Sequence, residues 1–329
     1  MFNDIKYMQR CIQLAQNGET GAAPNPMVGA VVVCDGHIIG EGYHRRCGGP
    51  HAEVNAIASV QQKHLLSRST IYVSLEPCAH YGKTPPCTDL IIQSDIPRVV
   101  VGCTDPFAKV NGLGIKKLKE AGCEVIVGVL EQECRELNRR FFTFHQKHRP
   151  WITLKWAQSK DGFIDRLRRA EEEPTHFSNA LTQTLVHRLR AQHQAILVGT
   201  TTALKDNPTL TTRYWKGPNP LRLTIDRHNS LPKHLHLKDG STPTVIYTQE
   251  NIDEILDDLY KRGIQSLLIE GGAKLLQNFI DKDLWDEAHI EIAAVCLKQG
   301  IVAPSLTNEM LKSQENYGGQ FIQHYRHLL

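Results

Sequence analysis

Two α/β domains in tandem are what this 329-residue chain predicts. Strand-like and helix-like hydrophobic patterns alternate along most of its length, which implies sheets covered by helices. The alternation stops once, at the polar, proline-ended stretch Gln146-Lys147-His148-Arg149-Pro150, and then begins again. The length suits two domains of ordinary size, each with its own core. We place them at 1–147 and 150–329.

In the first domain, residues 4–17 carry the spacing of an amphipathic helix. Residues 27–34 are a β-branched run, Asp35-Gly36 is a hairpin turn signal, and 37–43 return as a strand. A helix over 52–62 and a strand over 70–75 follow, the strand ending just before Glu76-Pro77-Cys78. The run Pro85-Pro86-Cys87-Thr88-Asp89 opens a helix through Ser94, with Pro86 suited to a first-turn position where its missing N–H costs nothing. A strand over 98–103, a helix over 112–121, a strand over 123–129 and a helix over 131–145 complete an α/β sandwich around a mixed sheet. In the second domain the spacing predicts strands at 151–156, 195–199, 221–226, 244–248, 266–269 and 288–294. Helices are expected at 178–193, at 252–262 and from Gly272 onward, and the charged stretch 165–173 reads as a solvated loop.

Composition narrows the function. Apolar content of 41% and charged content of 22% are those of a soluble globular protein. The net charge is only +3 and the basic residues are scattered, so no nucleic-acid-binding stripe is expected. No apolar run approaches the ~20 residues of a membrane span, and the start lacks the charged-then-apolar pattern of a secretory signal. Nine cysteines at irregular spacing do not resemble a disulfide framework. These features point to the cytoplasm. A small-molecule substrate and a homo-oligomer are further expectations, neither of them read from composition.

The chemistry concentrates in His51-Ala52-Glu53, Pro77-Cys78 and Cys87. One imidazole and two thiolates suit a zinc ion, and three protein ligands leave the open position of a catalytic site. Such an ion lowers the pKa of its bound water to about 7. The H-x-E…P-C-x-x-C pattern marks zinc deaminases, in which the glutamate moves protons and does not ligate. His51, Cys78 and Cys87 each fall at an expected helix start, where unpaired N–H groups and the dipole favour thiolate over thiol. The remaining cysteines Cys11, Cys34, Cys103, Cys123, Cys134 and Cys296 read as small core residues. Cys47 or His80 as a fourth ligand would instead close the site into a structural one.

Here the second cysteine lies nine residues after the first, across Ala79-His80-Tyr81-Gly82-Lys83-Thr84-Pro85-Pro86. With Pro24-Asn25-Pro26-Met27-Val28-Gly29 and His51-Ala52-Glu53, this loop resembles the bifunctional riboflavin-biosynthesis deaminase/reductase family, whose metal loop has the form P-C-x-H-x-G-K/R-T-P-P-C. The resemblance implies a cytidine-deaminase-like α/β sandwich, with Glu53 catalytic and His51, Cys78 and Cys87 holding Zn2+. It also implies a diaminopyrimidinone ribosylamine 5′-phosphate as substrate, read by Asn25, His80 and Lys83.

The second half supports the same family. Strand 266–269 runs into Glu270-Gly271-Gly272-Ala273-Lys274-Leu275, a glycine turn whose free N–H groups suit a phosphate. The threonine-rich stretch 199–213, ending in Arg213, offers hydroxyls, a carboxylate and a cation to a sugar phosphate, although a plain surface loop reads similarly. It resembles the V-G-x-x-T-x-x-x-D-x-P-x-L-T-x-R segment of the family's reductase half. That resemblance implies a dihydrofolate-reductase-like fold using NADPH to reduce the ribose to ribityl. By position, Thr175, Arg190, Leu210, Arg213 and Glu270 would hold the substrate. Gln158, Phe177, Thr202, Asp206, Gly272, Ala273, Lys274, Leu275, Leu276, Gln277 and Asn278 would hold NADPH. The chain departs from the family where Thr175 and Phe177 replace the usual serine and tryptophan and where Lys160 replaces a common leucine. Phenylalanine can stack on a nicotinamide but cannot donate a hydrogen bond.

Two alternatives differ in class. A nucleoside or tRNA deaminase would not need a second α/β domain and would be expected to carry basic surface. A deaminase whose degenerate reductase half only senses ligand would release ammonia without consuming NADPH.

Overall fold

The computed structural model describes residues 2–81, 85–107, 111–169, 172–249 and 251–328. The chain divides into two compact units, residues 1–148 and 149–329.

The first unit begins with helix α1 (Phe2–Gln16) and the hairpin β1 (Gly29–Cys34) and β2 (His37–Tyr43). Then come α2 (Ala52–Ser59), β3 (Thr70–Leu75), α3 (Cys87–Gln93), β4 (Arg98–Cys103), α4 (Leu113–Glu120), β5 (Glu124–Val127), α5 (Glu131–Leu137) and α6 (Arg139–Lys147). The sheet order is β2-β1-β3-β4-β5, antiparallel through β2, β1 and β3 and parallel from β3 to β5. Alternation along the strands sends Ala30, Val32, Val99 and Val101 to one face, against α2, α3 and α4. Val31, Val33 and Val100 go to the other face, against α1, α5 and α6. Glycine permits the closest approach: a Cβ at Gly42 would lie 2.3 Å from the Ala56 nitrogen, so α2 rests directly on β2. The helix expected over 131–145 is broken at Asn138. Its amide accepts from Met27 N–H (2.8 Å) and donates to the Met27 carbonyl (2.8 Å), tying the break to the entrance of β1.

The second unit contains β6 (Trp151–Gln158), β7 (Phe163–Asp165), α7 (Ala180–Ala191), β8 (Ala195–Val198), α8 (Thr200–Asp206), β9 (Leu221–Ile225) and β10 (Thr244–Tyr247). It continues with α9 (Ile252–Lys261), β11 (Ser266–Glu270), α10 (Ala273–Asp281), β12 (Glu287–Ile292), β13 (Ile301–Val302), β14 (Glu309–Tyr317) and β15 (Gln320–His327). The main sheet has the order β10-β9-β8-β11-β6-β12-β15-β14. Its first six strands are parallel, and β15 and β14 close the edge as an antiparallel hairpin. Helices α9 and α10 cover one face, while α7 and α8 pack on the other with Leu210, Leu231 and Leu235. A parallel sheet covered on both faces collects its ligand groups at the carboxyl ends of its strands.

Two expectations are corrected. The threonine-rich stretch is helical over Thr200–Asp206, because Ala203 is buried in the core beneath it. The charged stretch 165–173 is not merely a solvated loop. The Arg168 side chain is only 3% exposed and pairs with both Asp165 (2.6 Å) and Asp206.

The second unit starts on a buried ion pair. Arg149 donates to Asp286 through two nitrogens (2.6 and 2.9 Å), and the same carboxylate accepts from Ile152 N–H at 2.8 Å. Removing one partner of such a pair costs about 3–5 kcal/mol because the other charge stays buried. Asp286→Ala should therefore lower the unfolding free energy of this unit by that amount. All four tryptophans (Trp151, Trp156, Trp215 and Trp285) lie in the second unit, so urea unfolding followed by tryptophan fluorescence reports on it directly. A loss below about 1 kcal/mol, the scale of an exposed pair, would contradict this account.

Candidate active sites

In the first unit three chain segments converge. His51 precedes α2 in extended backbone and makes no capping hydrogen bond with its ring. Cys78 follows the end of β3, and Cys87 is the first residue of α3. The Cys87 N–H donates to Cys78 Sγ (3.3 Å), and Thr88 N–H donates to the Cys78 carbonyl (3.2 Å), so the start of α3 folds back onto Cys78.

The His51 Nδ1 lies 3.6 Å from Cys78 Sγ and 3.3 Å from Cys87 Sγ, and all three ligand atoms fall within 4.8 Å of one another. Ordinary zinc–nitrogen and zinc–sulfur bonds at tetrahedral angles put ligand atoms about 3.6–3.8 Å apart. The donor set fits zinc in both chemistry and spacing. Hydrogen bonds from Cys87 and then from His51 hold the Cys78 thiol well below its usual range, the state a metal ligand requires. Neither Cys47 nor His80 joins the cluster among the described residues, which leaves three protein ligands.

Glu53 is buried at 3% exposure beside these groups. Burial pushes its carboxyl up to about 7, against the opposing pull of His51. Asn25 reaches the site through His44, its Nδ2 lying 3.1 Å from His44 Nε2, and the His44 ring stands edge-on to His51 with centroids 5.4 Å apart. His80 is exposed and faces Phe107. Lys83 lies outside the described residues.

Glu76 is a residue the sequence reading missed. Its buried carboxylate accepts from the backbone N–H groups of Gly112 (3.0 Å), Gly114 (2.9 Å), Asp105 (3.3 Å) and Ile115 (3.3 Å). It anchors the turn before Cys78 to the start of α4. A lone carboxylate between the apolar end of β3 and Pro77 was the available signal.

In the second unit a cavity of about 870 Å³ opens at the carboxyl ends of β6, β8, β9 and β11. Among the sequence-predicted substrate residues, Thr175, Arg190, Leu210, Arg213 and Glu270 all line it. So do Phe177, Thr202, Asp206, Gly272, Ala273, Lys274, Leu275 and Asn278 of the cofactor set. Gln158, Leu276 and Gln277 do not. Gln158 accepts from Trp156 Nε1 (2.7 Å). The run 273–278 is helical, so its period turns Leu276 into the core, while Gln277 bonds Asp281 and Ser305.

At the cavity wall Arg190 and Glu270 form a two-pronged pair (Nε–Oε1 2.8 Å, Nη2–Oε2 2.7 Å), and Arg190 also donates to the Thr211 carbonyl (3.2 Å). Burial alone would raise the Glu270 carboxyl, but Arg190 outweighs it and holds it below its ordinary value. The Gly271-Gly272 turn has φ of +82° and +81°, and a Cβ at Gly272 would lie 3.2 Å from Thr202 Oγ1. Glycine is therefore what this turn requires, and with no side chain a ligand can approach its backbone closely. Asp165 accepts from Thr175 Oγ1 (2.7 Å) and pairs with Arg168, which reaches Asp206. One ion-pair chain thus joins an expected substrate residue to an expected cofactor residue. These groups suit a phosphorylated substrate beside a dinucleotide, the chemistry expected of NADPH-dependent reduction.

The comparisons with known proteins find matches to both units. Residues 1–103 match the cytidine and deoxycytidylate deaminase zinc-binding region, and residues 150–313 match the RibD C-terminal domain. The riboflavin biosynthesis protein RibD of Aquifex aeolicus is 38% identical over 321 residues, covering 91% of this chain and 89% of that protein. The chain belongs to the RibD family. The crystal structure of a diaminohydroxyphosphoribosylaminopyrimidine deaminase/5-amino-6-(5-phosphoribosylamino)uracil reductase from Thermotoga maritima superposes with a TM-score of 0.90 at 36% identity, covering 99% of both chains. Acinetobacter baumannii RibD gives a TM-score of 0.90 at 30% identity over 98% of each chain. The first unit is a cytidine-deaminase-like zinc deaminase domain and the second a RibD reductase domain, which makes the protein a bifunctional enzyme using zinc and NADPH.

Cys78→Ser and Cys87→Ala should each weaken zinc binding by more than the roughly 10–100-fold that outer-shell substitutions cost. Chelator competition on the purified protein measures this, and a variant that retains zinc like the parent would remove that cysteine from the ligand set. A second expectation concerns His187, whose Nδ1 accepts from Arg213 N–H at 2.8 Å. Burial, followed by the charges of Arg190 and Arg213, pulls this ring from 6.5 down to about 4. The unfolded chain binds the proton first, so the stabilisation is complete above pH 6.5 and is lost as pH falls from 6.5 toward 4. The stability difference between the parent and His187→Gln should shrink across that window in urea titrations. A difference independent of pH would refute the assignment.

Proposed function

We propose that residues 1–147 catalyse the hydrolytic deamination of 2,5-diamino-6-ribosylamino-4(3H)-pyrimidinone 5′-phosphate. Residues 150–329 then reduce the ribosyl group of 5-amino-6-(5-phosphoribosylamino)uracil to ribityl. The observation that carries the first half is the His51, Cys78 and Cys87 triangle with Glu53 buried against it. A zinc ion at these ligands supplies, near neutral pH, the acidified water needed for attack on an amino-bearing ring carbon. Glu53 takes the proton released by water and passes it to the ring nitrogen and then to the departing ammonia. A carboxyl raised to about 7 can perform both transfers without a large energetic mismatch. Asn25, His80 and Lys83 hold the pyrimidine and its ribose phosphate.

In the second half NADPH supplies a hydride to C1′ of the opened ribose. The protein's contribution there is positioning. Arg190, Arg213, Thr175, Leu210 and Glu270 hold the substrate. Phe177, Thr202, Asp206 and the turn at Gly272 with the start of α10 hold the cofactor. The substrate assignment draws support from the Thermotoga maritima relative, whose activities are named for this pair of pyrimidines. No helix among the described residues is long and apolar enough to cross a membrane, which is compatible with action in the cytoplasm. The nine-residue edge strand β14, exposed along nearly its whole length, supports association into a homo-oligomer.

Ammonia release and NADPH oxidation, measured separately, test the two halves. Glu53→Gln should lower deamination by roughly 10²–10⁴-fold, keep its zinc, and leave NADPH oxidation with the deaminated substrate unchanged. A variant that retains most of its deaminase activity would exclude Glu53 as the proton carrier.

A further inference from the structure

His44 is a buried ring beside the metal ligands with both nitrogens engaged. Its Nδ1 lies 3.0 Å from the Pro50 carbonyl oxygen and its Nε2 lies 3.1 Å from Asn25 Nδ2. A carbonyl oxygen can only accept, so Nδ1 must carry the proton. In the neutral ring Nε2 is then bare and can only accept, which requires the Asn25 NH2 group to face it. The orientation of the Asn25 amide follows by elimination. The carbonyl oxygen Oδ1, the amide's one acceptor, is left to meet the substrate, beside the second Nδ2 hydrogen.

We propose that His44 is a positioning residue for the deaminase. It locks Asn25 so that the site offers an acceptor, and so selects a pyrimidine edge that presents an N–H donor. Pro50 immediately precedes the ligand His51, so the same short segment sets the metal ligand and the orientation of the substrate-reading amide. Asn55 Nδ2 donates to the Tyr43 carbonyl (2.9 Å) and to the Pro50 carbonyl (3.3 Å), which ties the loop ahead of α2 to the end of β2. The inference rests on the deaminase reading.

The test uses zinc-loaded full-length enzyme with 15N-labelled histidine. Long-range 15N–1H spectra, with His44 assigned from the His44→Gln variant, should show a proton on Nδ1 and none on Nε2. In Asn25→Asp, where both neighbours are acceptors, Nε2 should become protonated. In steady-state deamination, His44→Phe should raise KM by roughly 10-fold, the scale of one hydrogen bond to an uncharged group, with kcat changed less and zinc content unchanged. His44→Gln, whose amide oxygen can still accept from Asn25, should recover most of that loss. The proposal is overturned if Nε2 of the parent carries the proton, or if the Phe and Gln variants bind substrate alike with zinc in place. A parent enzyme that releases no ammonia would instead defeat the deaminase reading, while the spectra would still decide the orientation of Asn25.

Discussion

The deaminase half depends on bringing one imidazole and two thiols, 27 and 36 residues from that imidazole, to within 4.8 Å of each other. No single turn of chain could do this. The sheet can, because the end of β3 and the starts of α2 and α3 supply one ligand region each. Two backbone devices then keep the meeting point narrow. Gly42 lets α2 settle onto β2, and Cys87 N–H bonds directly to the Cys78 sulfur. The carboxylate of Glu76 secures the third side by gathering N–H groups from the start of α4. A ligand set of this kind is a property of the packed sheet and helices together.

The reductase half is organised by charge pairing at strand ends. Arg190 reaches across from α7 to Glu270 on β11 and to the backbone of Thr211, so one guanidinium ties the helix, the central strand and the loop carrying Arg213. His187, one turn earlier on α7, takes the Arg213 N–H. The 165–177 segment uses the same principle, with Asp165 and Arg168 bridging Thr175 to Asp206. Its departure from the family's usual loop changes the side chains without releasing the loop from the cavity.

Much of this was readable from sequence where one residue type has one physical use. The candidate metal ligands His51 and Cys87 stood out because they fall at helix starts, whereas Cys78, expected at one, sits in the loop after β3. The strands of both sheets stood out because β-branched runs alternate with amphipathic stretches. Helix α8 was hidden because threonine has low helix propensity, and burial of Ala203 in the core overrides that preference. The break at Asn138 depends on a partner 111 residues away, and Glu76 on N–H groups 29 to 39 residues away. No local pattern encodes such bonds. Residues 272–278 do not line the cavity as one continuous run, since a helix cannot turn consecutive side chains toward one side.

The two buried glutamates show how environment assigns different work to one residue type. Glu53 and Glu270 are both removed from water, and desolvation pushes each carboxyl upward. At Glu270 the bidentate guanidinium of Arg190 reverses that push, so the group stays ionised and acts as a fixed acceptor holding a wall of the cavity. Glu53 has no guanidinium beside it among the described residues; the pull of His51 and the hydrogen bond from Cys87 are weaker than the burial, and its carboxyl rises to about 7. A dication held by His51, Cys78 and Cys87 would offset part of that rise. A carboxyl whose two protonation states lie close in energy can accept a proton from water and return it to a leaving group, whereas a locked carboxylate cannot. This contrast supports the proposed division of work, with proton transfer at Glu53 and ligand positioning at Glu270.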